Sequence, residues 1–295
     1  MRFAAILSGV ALALLLAMPE GQENPTIRAD VNLVQLSVRV TDSARRTVSG
    51  LPKEAFELLV DGAPHPITVF QGEDAPVTAG IVVDNSASMA PKRSDVVAAA
   101  LAFARASNPR DQMFVVHFNQ RVRFGLVEVP FTDNLTDLER AVSEFQLGGT
   151  TALYDALMQA IDHSELGTHS RRVLLVITDG RDNSSRASLE NALSKARTHD
   201  AAIYGIGIWE EGDEDANPQA LSELAQGTGG RAFFPRTSAE IPSLCEEIAR
   251  DIRRQYTLGF VGAQDGKYHS IQVKVRDSRY PGLTVQTRPG YFAAK

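Results

Sequence analysis

The sequence predicts an α/β protein: a doubly wound, mostly parallel sheet inserted into a small, discontinuous antiparallel β-sandwich. Three observations predict it. The runs Ile81-Val82-Val83-Asp84 and Val173-Leu174-Leu175-Val176-Ile177-Thr178-Asp179 are apolar without alternation. Strands buried on both faces of a parallel sheet have this pattern. Leu153, Ala156, Leu157, Ala160 and Ile161 recur at helical spacing, as on a helix covering such a sheet. At both ends of the chain the period changes to two. Val34, Leu36, Val38 and Val40 alternate with polar residues, as do Ile271, Val273 and Val275, the marks of half-buried strands.

The 295 residues are 43% hydrophobic, ample for one large core or two domains. The formal net charge is −6, so nothing implies a basic surface for nucleic acid or an anionic membrane. A single cysteine, Cys245, rules out an intramolecular disulfide. It lies on the stripe Ile241, Leu244, Cys245, Ile248, Ile252 and reads as a small buried hydrophobe.

Residues 1–19 read as a secretory signal peptide, with Arg2 as its positive start and an apolar stretch from Ala4 to Ala17. An uncleaved N-terminal anchor is the alternative, because Leu15-Leu16-Ala17 is not a clean cleavage site. No later apolar run approaches membrane length, so no membrane span is expected after signal removal, and the expected location is periplasmic or secreted. A linker follows over 20–28, and the first sandwich segment over 29–75. In that segment Phe56, Leu58 and Val60 precede an Asp61-Gly62 turn. The return strand is expected at Ile67–Phe70, with Pro64 and Pro66 confining its start to an edge or bulge. Over 79–254 strands and helices alternate, the pattern of a parallel sheet with helical crossovers. Met113–Phe118 and Arg123–Val129 read as a hairpin whose second strand is an antiparallel edge. Helices are expected near Ser94–Arg105, Leu135–Glu144, Ala187–Arg197 and Pro218–Gln226. The acidic stretch 210–215 reads as a solvated loop. The second sandwich segment covers 256–292, with strands at Tyr256–Phe260, His269–Val275 and Leu283–Thr287. Neither terminal segment makes a stable domain alone, so the two are expected to pair.

Three loops carry the chemistry. Asp84 stands at the C-terminal end of its strand, where open α/β sheets place their ligands. Asp84, Ser86 and Ser88 supply three hard oxygens within one tight turn, a donor set suited to Mg²⁺ and less selectively to Mn²⁺ or Ca²⁺. Taken alone, the serines could equally cap the following helix. Gly148-Gly149-Thr150-Thr151 opens the striped helix, and Thr178-Asp179-Gly180 ends the second apolar strand.

Together these loops resemble the metal-ion-dependent adhesion site of the von Willebrand factor type A domain. That family has D-x-S-x-S after its first strand, a threonine in a loop before a helix, and T-D-G after its fourth strand. The resemblance covers about Ala79 to Arg254 and assigns Asp84, Ser86, Ser88, Thr151 and Asp179 as metal ligands. Thr151 matches because it stands five residues before the alanine of Ala156-Leu157, as in the family. Asn85 and Ala87 stand where the family usually has glycine. Asn85, Thr150, Asp182 and Asn183 are candidate supporting groups, Asp182 and Asn183 alternatively helix-start residues. The whole chain further resembles a secreted bacterial family described as VWFA-related, acidobacterial type. Its signals here are Gly50–Glu57, Val60-Asp61-Gly62, Gln255–Phe260 and Arg288–Phe292.

The resemblance implies a non-catalytic, metal-dependent protein-binding module of adhesion type. Asp84 and Asp179 cannot supply six ligands, and Ser86, Ser88 and Thr151 are neutral; if one acid binds only through water, the ion keeps positive character beside an open position. A carboxylate fits that position, and in the family a partner's Asp or Glu completes the shell. Two alternatives stand: an envelope module whose metal only braces the loops, and a metal-dependent hydrolase. A hydrolase needs a general base or second metal. His117 is the one histidine that the fold brings near, and in Val115-Val116-His117-Phe118 it reads as a packed structural residue. Expressed in a Gram-negative host, the chain is expected outside the cytoplasm with its N-terminus near Met18. N-terminal sequencing of the fractionated protein checks this, and a soluble cytoplasmic chain starting at Met1 contradicts it.

Overall fold

The strands in chain order are β1 (Leu33–Thr41), β2 (Phe56–Val60), β3 (Ala63–His65), β4 (Val69–Gln71), β5 (Thr78–Asp84), β6 (Gln112–Phe118), β7 (Val122–Phe124), β8 (Arg172–Thr178), β9 (Ala201–Gly207), β10 (Ala232–Phe233), β11 (Tyr256–Val261), β12 (Tyr268–Val275), β13 (Thr284–Gln286) and β14 (Gly290–Phe292). The α-helices are α1 (Arg93–Ala106), α2 (Leu135–Ser143), α3 (Leu153–Ser164), α4 (Leu189–Thr198), α5 (Pro218–Gly227) and α6 (Ile241–Arg253). The structure, a computed structural model, describes residues 32–72, 74–144, 147–209, 216–277, 279 and 282–294. The expected signal segment, linker and acidic loop lie outside them. Among the described residues no helix is long and apolar enough to cross a membrane.

The two apolar runs become neighbours. β5 lies at the interior of a six-stranded sheet ordered β10-β9-β8-β5-β6-β7. It pairs in parallel with β8 on one side and β6 on the other, and only β7 runs antiparallel, at the edge. Every residue of β5 is buried. Side chains alternate between the two faces, and each face has its own helical cover. Ile81, Val83, Val115, Leu175 and Ile177 pack with α1, α2 and α6, and Cys245 belongs to this layer. Val82, Val116, Leu174 and Val176 pack under α3, α4 and α5. The α3 stripe, Leu153 to Ile161, is fully buried there.

The terminal segments pair with each other. One antiparallel sheet is ordered β13-β1-β11-β4 and the other β14-β12-β2-β3. β1 pairs with β11 from Leu33↔Val261 to Val38↔Tyr256, and β2 pairs with β12 from Phe56↔Val275 to Val60↔Ile271. Val34, Leu36, Val38, Phe56, Leu58, Leu258, Phe260, Ile271 and Val273 fill the space between the sheets. The Tyr256 hydroxyl donates to the Val48 carbonyl at 3.0 Å and accepts from the Leu51 amide at 3.0 Å, tying the first segment's loop to the last segment's central strand.

Three elements differ from the sequence reading. The return strand after Asp61-Gly62 is Ala63–His65, with Pro64 on the sheet edge. Ile67–Phe70 does not complete that hairpin. The chain crosses instead to the other sheet, where β4 pairs with β11. The edge strand β7 stops at Phe124; at Gly125 the backbone passes so close to its neighbours that a Cβ would lie 2.9 Å from the Ala141 carbonyl oxygen and 3.1 Å from Val115. β14 is a further strand that its three residues were too few to signal.

The second segment supplies β11 and β12, which are interior to the two sheets. Ending the chain at Arg254 removes both, and the truncated protein is expected to aggregate or lose cooperative unfolding. Calorimetry with light scattering checks this; a monomer with a sharp transition shows the sandwich to be dispensable.

Candidate functional site

Asp84 closes β5 and is 1% exposed. Its carboxylate accepts from the Ser86 amide at 2.8 Å and from the Thr178 hydroxyl at 2.6 Å. Burial lifts the carboxyl to about 6, and the Asp179 charge adds to the lift against those hydrogen bonds. Thr178 is the last residue of the neighbouring strand β8, so parallel pairing alone brings the two acids to adjacent strand ends.

Hydroxyls span the space between the acids. Ser86 Oγ lies 3.1 Å from Ser88 Oγ, and Ser88 donates to Asp179 Oδ2 at 2.6 Å. Asp179 Oδ1 accepts from the Arg181 amide at 3.1 Å. Gly180 makes this turn possible: its φ is +81°, and a Cβ there would lie 2.4 Å from the Asn217 carbonyl oxygen.

The third loop is joined to both of the others. The Gly148 amide donates to the Asn85 carbonyl at 2.8 Å, and the Ala87 amide to the Gly149 carbonyl at 3.2 Å. On the other side, Asn183 clasps Thr151: its side-chain oxygen accepts from the Thr151 amide at 2.8 Å, and its amide donates to the Thr151 carbonyl at 3.0 Å. Thr151 is buried, whereas Thr150 is exposed and takes no part in this clasp. Asp182 is no starter of α4, which begins later and is capped by Ser188. It caps α3 instead. Its carboxylate accepts from the Tyr154 amide at 3.0 Å, while Ser185 Oγ accepts from the Asp155 amide at 3.0 Å. The first turn of α3 has no capping side chain of its own, so the loop after β8 supplies the acceptors that its free amides need.

His117 is packed, as its apolar context suggests, and has no free nitrogen for acid–base work. Nε2 donates to the Ala141 carbonyl at 2.6 Å, and burial lowers its pKa to about 4, so the ring is neutral at pH 7. Among the described residues no group of three or more His, Cys, Asp or Glu side chains converges as a metal cage. The five-residue set draws on only two acids, with hydroxyls between them. Hard neutral oxygens between two carboxylates, one of them raised by burial, suit a hard divalent cation that keeps part of its water shell. Asp84, Ser86, Ser88 and Asp179 are thus brought together directly, and the loop that carries Thr151 is bonded to both flanking loops, through Gly148 and Gly149 on one side and Asn183 on the other. Thr178 is a contributor that sequence reasoning did not single out.

The sequence matches the von Willebrand factor type A domain family over residues 80–247, more than half of the chain. The chain belongs to this family. Von Willebrand factor type A domains are typically protein-interaction modules. No curated protein matches the chain. Among solved structures, it is similar to a von Willebrand factor type A protein from Catenulispora acidiphila, at 16% identity and a TM-score of 0.52, covering 92% of this chain and 76% of that one. It is also similar to an aerotolerance-related membrane protein from Bacteroides fragilis, at 17% identity and a TM-score of 0.49, covering 60% and 98%. A third is the PilB minor pilin of Streptococcus sanguinis, at 15% identity and a TM-score of 0.47, covering 64% and 63%. At 16% identity the first of these likenesses concerns the fold alone.

The buried carboxylate of this von Willebrand factor type A domain gives a signed pH dependence. Unfolded Asp84 titrates near 3.9 and folded Asp84 at about 6. Between those values the folded state binds more protons, so stability falls as pH rises. In chelator the loss attributable to Asp84 is expected to be about 2 kcal/mol between pH 4 and 7. Urea denaturation of wild type and Asp84→Asn across that range checks it: identical pH slopes would place the effect elsewhere.

Proposed function

We propose that the protein is a non-catalytic binding module that takes a Mg²⁺, Mn²⁺ or Ca²⁺ ion at Asp84, Ser86, Ser88, Thr151 and Asp179 and uses it to hold a partner's Asp or Glu. The observation that carries this reading is the chain of hydrogen bonds from buried Asp84 through Ser86 and Ser88 to Asp179 across two adjacent strand ends. Two carboxylates brought this close repel each other, and a cation between them relieves both the repulsion and the burial of Asp84. When bound, the ion would supply Lewis-acid attraction for an incoming carboxylate. The chain's own residues supply the rest. Thr178 and the Ser86 amide orient Asp84, the Arg181 amide orients Asp179, and Asn183 fixes the backbone of Thr151. The neutral, fully engaged His117 favours binding over hydrolysis. We assign the protein to the periplasm or the exterior, on the apolar stretch near the start of the sequence.

A thermal melt with titrated Mg²⁺ or Mn²⁺ tests the metal. Wild type is expected to gain about 2.7 kcal/mol at a hundredfold excess over Kd. Asp179→Ala should lose that gain without unfolding, since it also removes the repulsion, and Ser86→Ala or Ser88→Ala should weaken it less. Equal metal responses in wild type and Asp179→Ala reject the site. A pull-down from cell envelopes in Mg²⁺ and in chelator separates a partner-binding metal from one that only braces the loops.

A further inference from the structure

Asn85 stands inside the proposed metal loop, at a position where the side chain of a loop residue would ordinarily face water. Here it is fully buried. Each of its polar groups has a partner. Its amide donates to the Phe118 carbonyl at 2.7 Å, and its carbonyl accepts from Gly148 at 2.8 Å. The side-chain nitrogen donates to the Val83 carbonyl at 3.2 Å and to His117 Nδ1 at 2.8 Å. The side-chain oxygen accepts from Arg93 at 2.9 Å. The direction of these bonds is fixed. A carbonyl can only accept, so the His117 proton sits on Nε2, facing Ala141, and Nδ1 is left as an acceptor. The Asn85 nitrogen must therefore face His117 and its oxygen must face Arg93.

Both partners end on the same structure. His117 reaches the Ala141 carbonyl, and Arg93 reaches the carbonyls of Val142 and of Ser143, the latter at 3.1 Å. These belong to the last turn of α2, whose carbonyls have no partner within the helix and attract a cation. α2 precedes the loop of Gly148 to Thr151, whose first amide bonds back to Asn85. The contacts run from the Asp84–Ser88 loop through three buried or half-buried side chains to the end of α2, and the Gly148 amide joins the loop that carries Thr151 directly to Asn85.

We propose that Asn85, His117 and Arg93 act as one positioning unit that sets the cation affinity of the site by fixing two of its three loops relative to each other. None of the three is a ligand; their effect passes through Asp84, Ser86, Ser88 and Thr151. This rests on the metal reading above. It gives the asparagine a role that glycine, with no side chain, could not fill.

The test is a Mn²⁺ titration followed by the electron paramagnetic resonance of the free ion, beside calorimetry of the metal-free protein. The set is wild type, Asn85→Ala, Arg93→Met, the double variant, and Asp179→Ala as the reference for a destroyed site. Asn85→Ala and Arg93→Met are each expected to weaken Mn²⁺ tenfold or more, as loss of groups that orient metal ligands does. The double variant is expected to be no weaker than the worse single one, because both break the same unit. Singles that bind within twofold of wild type, with only their metal-free Tm lowered, make the three residues ordinary packing and overturn the proposal. A double variant whose loss is the product of the singles overturns the unit. Wild type that binds no better than Asp179→Ala removes the metal reading and this inference with it. Should Asn85→Ala fail to fold, Arg93→Met decides alone, since Arg93 is only half-buried.

Discussion

A carboxylate almost completely removed from water at the end of an interior strand is the constraint on which the rest depends. Asp84 is held there because β5 has neighbours on both sides and helices on both faces. A charge in that position is tolerable only if its surroundings are polar and fixed. Those surroundings are built. Thr178 reaches over from the next strand, Ser86 turns its amide back, and the Asp179 loop closes across the serines. The same loop then caps α3 through Asp182 and Ser185 and clasps Thr151 through Asn183. The apolar sheet and the polar rim are thus two halves of one arrangement: the first sets where the acids emerge, and the second makes that position bearable.

Much of this was legible in the chain. Strands buried on both faces announce themselves by lacking alternation, and β5 and β8 are both of that kind. The α3 stripe is legible because a single face meets the core. The candidate site residues lie in three short loops, each placed directly after or before one of these strong elements. What failed to show has physical reasons. Pro64 and Pro66 mark an irregularity, but not whether the chain bends within one sheet or crosses to another; that choice is made by β11, which is distant in sequence. β14 is three residues long, below the length at which a period can be seen. Thr178 reads as strand until a partner acid stands beside it.

Asn85 illustrates the limit most clearly. Read locally, it is a polar residue in a turn, a common and uninformative event. Its partners come from β6, from α1 and, through them, from the end of α2. No periodicity links these positions, since a buried hydrogen-bond network is specified by three-dimensional closure rather than by spacing. His117 shows the converse. Its apolar neighbours correctly indicate burial, yet burial alone does not say which carbonyl and which amide it will join.

The interleaving of the two sandwich segments has a consequence for how the protein is made. Leu51 and Tyr256, joined by one hydrogen bond, lie 205 positions apart. β1 therefore leaves the ribosome with neither of its neighbouring strands yet synthesised, an open edge of the kind that invites pairing with another chain. The unit synthesised in the interval shortens the wait in space if not in time. Arg171 donates to carbonyls at both of its ends, Ala75 at 3.4 Å and Ile252 at 2.6 Å, and the Asp74 amide reaches the Arg253 carbonyl at 2.6 Å. Once that unit has folded, the gap that β11 must cross to find β1 no longer scales with the intervening chain, and most of the loop-closure entropy has been spent in advance. Assembly of the outer sandwich is in this sense vectorial: the middle of the protein is the template on which its two ends meet.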